Sequence, residues 1–185
     1  MKKIVLGVGG SSGAVYASRL IDKLISSGQC EISVVMSNNA MLNWKLELGS
    51  DLQEQAHLKL YDNKNFFAPF ASGSAKFDAM VVCPSSMGLL GRVANGISDD
   101  LLTRAADVMM KERRKLIFVP RETPFNLIHL RNMTQLTEAG AIICPAVPSF
   151  YSKPATITEL IDTVVDRIVD LLSIDNQTYR WGDGN

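Results

Sequence analysis

The sequence predicts a single α/β domain built on a doubly wound parallel sheet with helices on both faces. Two observations support this fold class. Short runs rich in Val and Ile alternate with longer segments of helical periodicity, as in consecutive βαβ units. The 185 residues suffice for one ordinary core, and no linker, internal repeat or low-complexity segment divides them.

The predicted strands are short apolar runs bounded by turn-forming residues. Pro84 is expected to end the third of them. The five strands are predicted at 3–8, 31–36, 78–84, 115–120 and 141–145.

The predicted helices are recognised by apolar residues at helical spacing and by residues suited to helix ends. Ser98 is expected to cap the third helix, Pro124 to occupy the first position of the fourth, and Thr156 to cap the last. Segment 50–76 is polar, with possible short helices, and segment 83–92 is interpreted as a loop. The helices are predicted at 14–27, 39–47, 98–115, 125–138 and 157–172.

The bulk composition indicates a soluble globular protein and narrows its partners. The formal net charge is zero, so nothing points to nucleic acid or to a membrane surface. The first apolar run is too short for a signal peptide or a membrane span. Cys30, Cys83 and Cys144 are scattered, which suggests a reducing, cytoplasmic setting without disulfides. His57 and His129 lie far apart in sequence, so no metal site is expected.

The loop GVGGSSG at 7–13 joins the first strand to the first helix, where such sheets bind phosphates. It departs from the dinucleotide pattern, because the third glycine is displaced to Gly13. The second strand ends in Ser37-Asn38-Asn39, where a dinucleotide site carries a carboxylate. We therefore expect an anion site that is not specific for NAD; a purely structural tight turn is the alternative.

Two other strand ends carry polar residues that can join this site. Ser85 and Ser86 follow the third strand, where an ordinary loop is an equally good interpretation. Arg121 and Glu122 follow the fourth strand, in VPRETP. The arginine can hold a phosphate or a ring carbonyl, and a partly buried glutamate can exchange protons, although a local ion pair would also explain them.

Several long stretches match one family closely. They include LLTRAADV, KERRKL, VPRETP and PAVPSFY, and matches of this kind cover nearly the whole chain. The sequence thereby resembles the UbiX-type flavin prenyltransferases.

The resemblance implies a Rossmann-like fold that binds FMN without a metal. It implies transfer of a dimethylallyl group from dimethylallyl phosphate to N5 and C6 of reduced FMN. The prenylated FMN would serve a UbiD-type decarboxylase, in ubiquinone biosynthesis or aromatic acid metabolism. It further implies a homododecamer with sites at subunit junctions. The flavoprotein domain would span 1–174, and the tail 175–185 is expected to pack on a neighbouring subunit.

The resemblance also assigns cofactor-binding positions. Two departures from the family pattern are Ser11, which replaces an alanine, and Leu89, which replaces a threonine and leaves only backbone contact there. The positions that fall on FMN-binding sites are Gly10, Ser11, Ser12, Ser37, Ser86, Met87, Gly88, Leu89 and Arg121.

Lys111, Tyr151 and Arg167 fall on positions that hold the prenyl phosphate. Cleaving a C–O bond to phosphate without Mg²⁺ needs fixed cations on the leaving group, and these three side chains can supply that clamp. Outside this context, Lys111 would only satisfy a helix dipole and Arg167 would belong to a solvated helix face.

Catalysis is expected to use Lys111 together with two carboxylates and a hydroxyl. Glu47 and Glu122 fall on active-site carboxylates, and Ser12 on an active-site hydroxyl. Glu122 is predicted to accept the C6 proton, relayed by Ser12 or by phosphate. Trp44 and Trp181 are candidates for cation–π stabilisation of an allylic cation.

Two alternatives remain open. A decarboxylase of the phosphopantothenoylcysteine type shares the flavin fold but relies on a histidine and a Pro-x-Met-Asn loop. Here Pro84-Ser85-Ser86-Met87 has no following Asn, and neither histidine lies at the first helix. A non-catalytic flavin-binding subunit of an aromatic acid decarboxylase is the second alternative, which retention of the clamp and of Glu122 disfavours.

Overall fold

A computed structural model describes residues 1–182. Its centre is a six-stranded sheet in the order β3-β2-β1-β4-β5-β6, and all neighbouring strands are parallel. This confirms the doubly wound, Rossmann-like class, with the order reversing between β1 and β4. The strands are β1 Lys2–Val8, β2 Cys30–Met36, β3 Leu58–Tyr61, β4 Ala79–Ser85, β5 Lys115–Pro120 and β6 Ile142–Ile143.

Strand β3 lies within segment 50–76, for which the sequence predicts no strand. It pairs with β2 at the edge of the sheet, with Leu58 opposite Ile32. Of its four residues only Leu58 is buried, so the segment lacks the apolar run by which buried strands are recognised.

The helices lie on both faces of the sheet. Helix α3 was interpreted from sequence as a loop, but its apolar residues at helical spacing are buried and Ser86 caps it. The helices are α1 Ala14–Ser26, α2 Asn38–Leu48, α3 Met87–Ala94, α4 Leu101–Lys111, α5 Leu127–Glu138 and α6 Ile157–Leu171, with a 3₁₀ turn at Pro69–Ala71.

Several predicted boundaries are wrong, whereas Thr156 is confirmed as the cap of α6. The helix predicted at 98–115 ends at Lys111, and the strand predicted at 141–145 is limited to Ile142–Ile143. Asp100, not Ser98, caps α4 through a reciprocal capping box with Thr103. Helix α5 begins three residues after Pro124, capped by Asn126, since Pro124 belongs to the preceding turn. Strand β4 runs through Pro84 and ends at Ser85.

Two apolar layers sandwich the sheet. The alternation of β1 illustrates this, since Ile4 and Leu6 pack with α1 and α6, whereas Val5 packs with α3 and α4. Trp44 of α2 belongs to the first layer and is only 4% exposed. This burial argues against the predicted contact of Trp44 with an allylic group.

The polar tail packs against its own chain. Ile174 is buried, and Asp166 of α6 accepts hydrogen bonds from Asn176 and Thr178. Packing of the tail on a neighbouring subunit stays a prediction, and its last three residues, 183–185, lie outside the described residues. Among residues 1–182, no helix is long and apolar enough to cross a membrane.

Candidate functional site

The glycine loop between β1 and α1 is shaped by close backbone approaches. Gly9 N–H donates to the carbonyl of Pro84 at 2.9 Å. A Cβ at Gly10 would lie 2.7 Å from the Cβ of Asn39, so no side chain fits there. Gly13 has a φ of +114°, which favours glycine at the start of α1. The glycines therefore let the loop lie flat against α2 and the β4–α3 turn.

Side chains from α2 and from the loop after β5 hold the glycine loop in place. Asn43 Nδ2 donates to the carbonyl of Gly10 at 2.9 Å, a contact that the sequence analysis missed. One turn later, the Glu47 carboxylate accepts from the backbone N–H groups of Gly13 and Ala14, at 3.0 and 2.8 Å. Arg121 Nε donates to the carbonyl of Ser12 at 2.9 Å.

Glu47 therefore occupies the N-terminus of α1, where a ligand anion was expected. A carboxylate there satisfies unpaired N–H groups and the positive end of the helix dipole. The prediction that the first helix would present its N-terminus to a phosphate needs correction, because the chain supplies its own anion.

Two other helix N-termini are directed to a shared cleft. Ser37 caps α2, accepting from Ala40 N–H at 3.1 Å, and Ser86 caps α3, accepting from Leu89 N–H at 3.3 Å. Helix N-termini attract phosphate through free N–H groups and the dipole. The cleft, of about 780 Å³, is lined by Gly9, Gly10, Ser37, Asn38, Asn39, Asp62, Asn63, Lys64, Ser86, Gly88, Leu89, Arg92, Asp99 and Asp100.

Five of the predicted cofactor-binding residues line this cleft: Gly10, Ser37, Ser86, Gly88 and Leu89. The other predicted positions lie next to these in sequence or contact them through the glycine loop. Met87 is 5% exposed and belongs to the core beneath α3, so its side chain contributes packing.

The hydroxyl of Ser11 is buried and has no hydrogen-bond partner among residues 1–182. An unpartnered buried hydroxyl is costly, and most such groups in proteins are satisfied. A phosphate or flavin oxygen at the glycine loop would accept this hydrogen bond. The residues present therefore fit FMN, a ligand that combines a phosphate with a polar ring.

The far wall of the cleft was missed by the sequence analysis. Asn63 follows β3 and accepts the N–H groups of Leu101 and Leu102 at the start of α4. Arg92 of α3 pairs with Asp99 and Asp100 at 2.6 and 2.9 Å. Once β3 is recognised as a strand, its polar carboxyl end would be the signal for this wall.

Asp100 is ionised in this arrangement. Burial alone would raise its pKa, but hydrogen bonds from Thr103 and the guanidinium of Arg92 outweigh burial and hold the pKa below its usual value. By contrast, burial raises the pKa of the Cys83 thiol, and the nearby Cys144 raises it further. Cys83 is therefore a neutral core residue and no thiolate nucleophile.

A second cleft, of about 640 Å³, lies between α6, the loop after β6 and the tail. It contains Tyr151 and Arg167, two of the three predicted phosphate ligands, and also Trp181. The ring of Tyr151 lies 5.6 Å from that of Tyr179 and 5.4 Å from that of Trp181. This brings the predicted Trp181 next to the predicted Tyr151.

Lys111 is not brought to this cleft within one chain. Helix α4 ends at Lys111 and β5 begins at Lys115, so Lys111 lies at the amino edge of the sheet. Tyr151 follows β6 and lies beyond the carboxyl edge. Lys111 instead pairs with Glu112. A single chain therefore does not assemble the predicted clamp.

Glu122 lies at the carboxyl edge of the sheet, directly after Arg121. Its side chain is exposed and accepts the N–H of Thr123 at 3.0 Å. Within residues 1–182, Glu122 and Arg121 form no ion pair, and Arg121 is bonded to Ser12 instead. The alternative of a local ion pair is therefore not supported, and the carboxylate is accessible.

Comparison with known proteins places these features in one family. The flavoprotein family model matches residues 1–173. The curated flavin prenyltransferase UbiX of Methanocaldococcus jannaschii is 47% identical, over 97% of this chain and 98% of the relative. A solved structure of a dodecameric FMN-dependent UbiX-like decarboxylase from Escherichia coli O157:H7 is 34% identical with a TM-score of 0.89, covering 96% of this chain and 97% of that one.

A further solved structure, AnUbiX (PadA1) in complex with FMN and dimethylallyl pyrophosphate, is 38% identical with a TM-score of 0.86. It covers 97% of this chain and 98% of that chain. The chain belongs to the flavoprotein family. Within that family it is a UbiX-type protein, which confirms the resemblance found in the sequence.

Proposed function

We propose that this chain is a flavin prenyltransferase that joins a dimethylallyl group from dimethylallyl phosphate to N5 and C6 of reduced FMN. The observation that carries the proposal is the cleft in which the glycine loop meets the N-termini of α2 and α3. Its lining residue Gly10 is followed by Ser11, whose buried hydroxyl has no partner among the described residues. The full-length similarity to curated flavin prenyltransferases supports the same activity.

The residues of the first cleft would bind and orient FMN. The N-termini of α2 and α3, capped by Ser37 and Ser86, would hold its phosphate, and Ser11 would donate its hydroxyl. Arg121 would neutralise negative charge on the reduced ring. When bound, reduced FMN supplies the nucleophilic N5 and C6 atoms.

The residues of the second cleft would bind the prenyl donor. Arg167 and the Tyr151 hydroxyl would stabilise the negative charge that develops on the departing phosphate. Glu122 would accept the proton lost when the second bond forms, with the Ser12 hydroxyl as a relay.

Lys111 would reach this site from a second subunit. The dodecameric relative supports an assembly of the same kind for this chain. Because one chain separates Lys111 from Tyr151 and Arg167, we propose a homododecamer whose active sites lie at subunit junctions and contain residues of both chains.

The proposed biological partner is a UbiD-type decarboxylase that receives the prenylated FMN, in ubiquinone biosynthesis or aromatic acid metabolism. A cytoplasmic location is proposed with it, in keeping with three free cysteines.

Mass spectrometry of the flavin tests the activity. Purified protein incubated anaerobically with reduced FMN and dimethylallyl monophosphate is expected to yield FMN enlarged by one C5 unit. Dimethylallyl pyrophosphate in a parallel reaction identifies the accepted donor. If FMN binds but its mass changes with neither donor, the enzyme proposal fails and a non-catalytic flavin-binding subunit becomes the better interpretation.

A decarboxylase of the phosphopantothenoylcysteine type remains the second candidate enzyme. It would release CO₂ from phosphopantothenoylcysteine without altering the flavin mass. Neither His57 nor His129 lines the first cleft, so the structure offers no observation in its favour.

A further inference from the structure

We propose that Asp166 and Asp170 of α6 are positioning residues that hold the tail over the second cleft and so fix the aromatic wall around Tyr151. The tail latch consists of these two carboxylates and the tail residues that they bind, Asn176, Thr178 and Arg180. Asp166 also pairs with Lys23 of α1. The consequence for substrate binding rests on the proposed function, whereas the position of the tail does not.

The latch is built from two carboxylates one helical turn apart. Asp166 accepts hydrogen bonds from Asn176 Nδ2 at 2.9 Å and from Thr178 Oγ1 at 2.6 Å. The Asp170 carboxylate accepts hydrogen bonds from both terminal nitrogens of Arg180, which makes a bidentate ion pair. Because residues four apart lie on one helix face, both carboxylates address the same segment.

Three alternate residues of the tail, at positions 176, 178 and 180, bond the two carboxylates. Arg180 also donates to the backbone carbonyl of Asn176, which holds this part of the tail together. Tyr179 and Trp181, on either side of Arg180, both contact the ring of Tyr151 and line the second cleft.

The latch and the rings of Tyr179 and Trp181 border the cleft that contains the proposed phosphate ligands. Arg167 lies on α6 between the two latch carboxylates and lines the same cleft as Tyr151. The place of the tail thus determines how much of Tyr151 is covered and how wide the cleft is over Arg167.

Polar contacts, rather than apolar burial, keep the tail in place. Ile174, directly before the tail, is buried, whereas residues 175–182 are exposed or half-buried. Asp166 and Asp170 are themselves only 14% and 18% exposed, so they give the tail well-defined partners. Removing the latch should release the tail without unfolding the domain, since apolar burial stabilises the core independently.

Trypsin can report release of the tail, because Arg180 is both a latch residue and a cleavage site. In wild type the Arg180–Asp170 pair should slow cleavage, which would remove residues 181–185. The double variant Thr178→Val/Asp170→Asn should lose them faster, on the order of tenfold, as the open fraction rises. Thr178→Ser keeps the hydroxyl that donates to Asp166, so the variant Thr178→Ser/Asp170→Asn should be cleaved at the rate of Asp170→Asn alone.

The matched control is Arg19→Gln. Arg19 of α1 pairs at 2.8 Å with Asp162, which lies on α6 like the latch carboxylates, but Arg19 does not contact residues 175–182. The substitution Arg19→Gln removes an arginine–aspartate pair, as loss of the Arg180–Asp170 pair does. Both the rate of tail cleavage and the rate of prenylation should stay at wild-type values. Equal cleavage of wild type and the double variant, with both folded by circular dichroism, would overturn the latch.

Kinetics test the positioning role. The double variant should show a several-fold higher KM for dimethylallyl phosphate, a smaller change in kcat and an unchanged affinity for FMN. Faster cleavage with an unchanged KM would overturn the positioning claim. If wild type does not prenylate FMN at all, the proposed function fails, while the cleavage data still decide whether the latch exists.

Discussion

Gly10 and Gly88 line the same cleft, but the space around them differs. A Cβ at Gly10 would lie 2.7 Å from the Cβ of Asn39, whereas a Cβ at Gly88 meets no atom within 4 Å. Gly10 is therefore required by the close approach of Asn39, whereas the absence of a side chain at Gly88 leaves space in the cleft for a ligand.

We predict opposite effects of alanine on stability at these two positions. Gly10→Ala should destabilise the ligand-free protein by about 1–3 kcal/mol through overpacking. Gly88→Ala, within α3, should stabilise it by up to about 1 kcal/mol because alanine favours the helix. Both should weaken FMN binding. Denaturation without FMN and fluorescence titration with FMN measure the two effects, and unchanged affinity of Gly88→Ala would remove Gly88 from the binding site.

Glu122 is the residue on which the proposed proton transfer depends. Glu122→Gln removes the base but keeps the shape, so FMN affinity should be unchanged and the rate of prenylation should fall by about 100-fold or more. Glu138→Gln, at the far end of α5, is the control. Single-turnover kinetics followed by mass spectrometry check the rate; wild-type turnover of Glu122→Gln would exclude this role.

At the scale of elements, α4 illustrates how charge stabilises a helix start. Asp100 caps the helix and pairs with Arg92, and its pKa lies below the usual value for the reasons given above. Asp162 of α6 behaves alike: burial would raise its pKa, but Arg19 and Lys23 lower it. Both carboxylates stabilise the folded chain in their ionised form.

The pH dependence of Asp100→Ala follows from this shift. A lowered folded-state pKa means that the stabilisation is complete above the unfolded-state value of about 3.9 and is lost as pH falls through the folded-state pKa. The variant should lose about 1 kcal/mol at pH 7. Its difference from wild type should shrink towards pH 3.

Urea denaturation at pH 7 and pH 3 measures this difference. Asp51→Asn is the control, because Asp51 forms an exposed pair with Lys45, and its removal should change stability little at either pH. A pH-independent difference between Asp100→Ala and wild type would show that ionisation of Asp100 contributes nothing.

The elements that sequence patterns predicted correctly are those with long apolar periodicity, such as β1, α1 and α6. Strand β3 escaped because it is an edge strand of four residues with one buried. Helix α3 escaped because its glycines and serine resemble a loop, although its apolar positions recur at helical spacing. Short elements take their stability from tertiary contacts that local patterns do not contain.

The candidate site was predictable wherever strand ends carry polar residues. Gly10, Ser37 and Ser86 were found in this way and by family resemblance, and they share one cleft. The hydrogen bonds of the Glu47 carboxylate to the N-terminus of α1 were not predictable, because they depend on how α2 packs across the glycine loop. The separation of Lys111 from Tyr151 likewise required the direction of each strand.

At the scale of the whole molecule, the chain exposes large apolar side chains. Phe67 is 99% exposed, Leu46 83% and Ile157 78%. Aromatic and other large apolar residues are enriched at the buried centres of protein–protein interfaces. These residues are candidates for the interfaces of the proposed dodecamer.

Phe67→Asp should weaken the assembly, because a charge would be buried at the interface without a partner. Phe67→Leu keeps an apolar side chain and is the control. Sedimentation velocity should show smaller species for the aspartate variant only. A wild-type sedimentation profile for Phe67→Asp would exclude Phe67 from the interfaces.

Mixed assemblies test whether an active site is shared between chains. Lys111→Ala and Tyr151→Phe should each be nearly inactive, but co-expressed chains should recover activity at about one quarter of the junctions. Tyr151→Phe mixed with Arg167→Gln is the control, because both positions line one cleft of one chain. Absence of recovery in the first mixture would mean that Lys111 does not complete a neighbour's site.

The contacts on the glycine loop have a thermodynamic consequence. Asn43, Glu47 and Arg121 hold three successive parts of the loop without a ligand, so its ordering entropy is lost during folding rather than binding. Calorimetry of FMN binding should therefore show a heat-capacity change that reflects burial of the flavin surface alone, without the larger change that accompanies folding of a loop. The glycine loop is thus preorganised for its ligand.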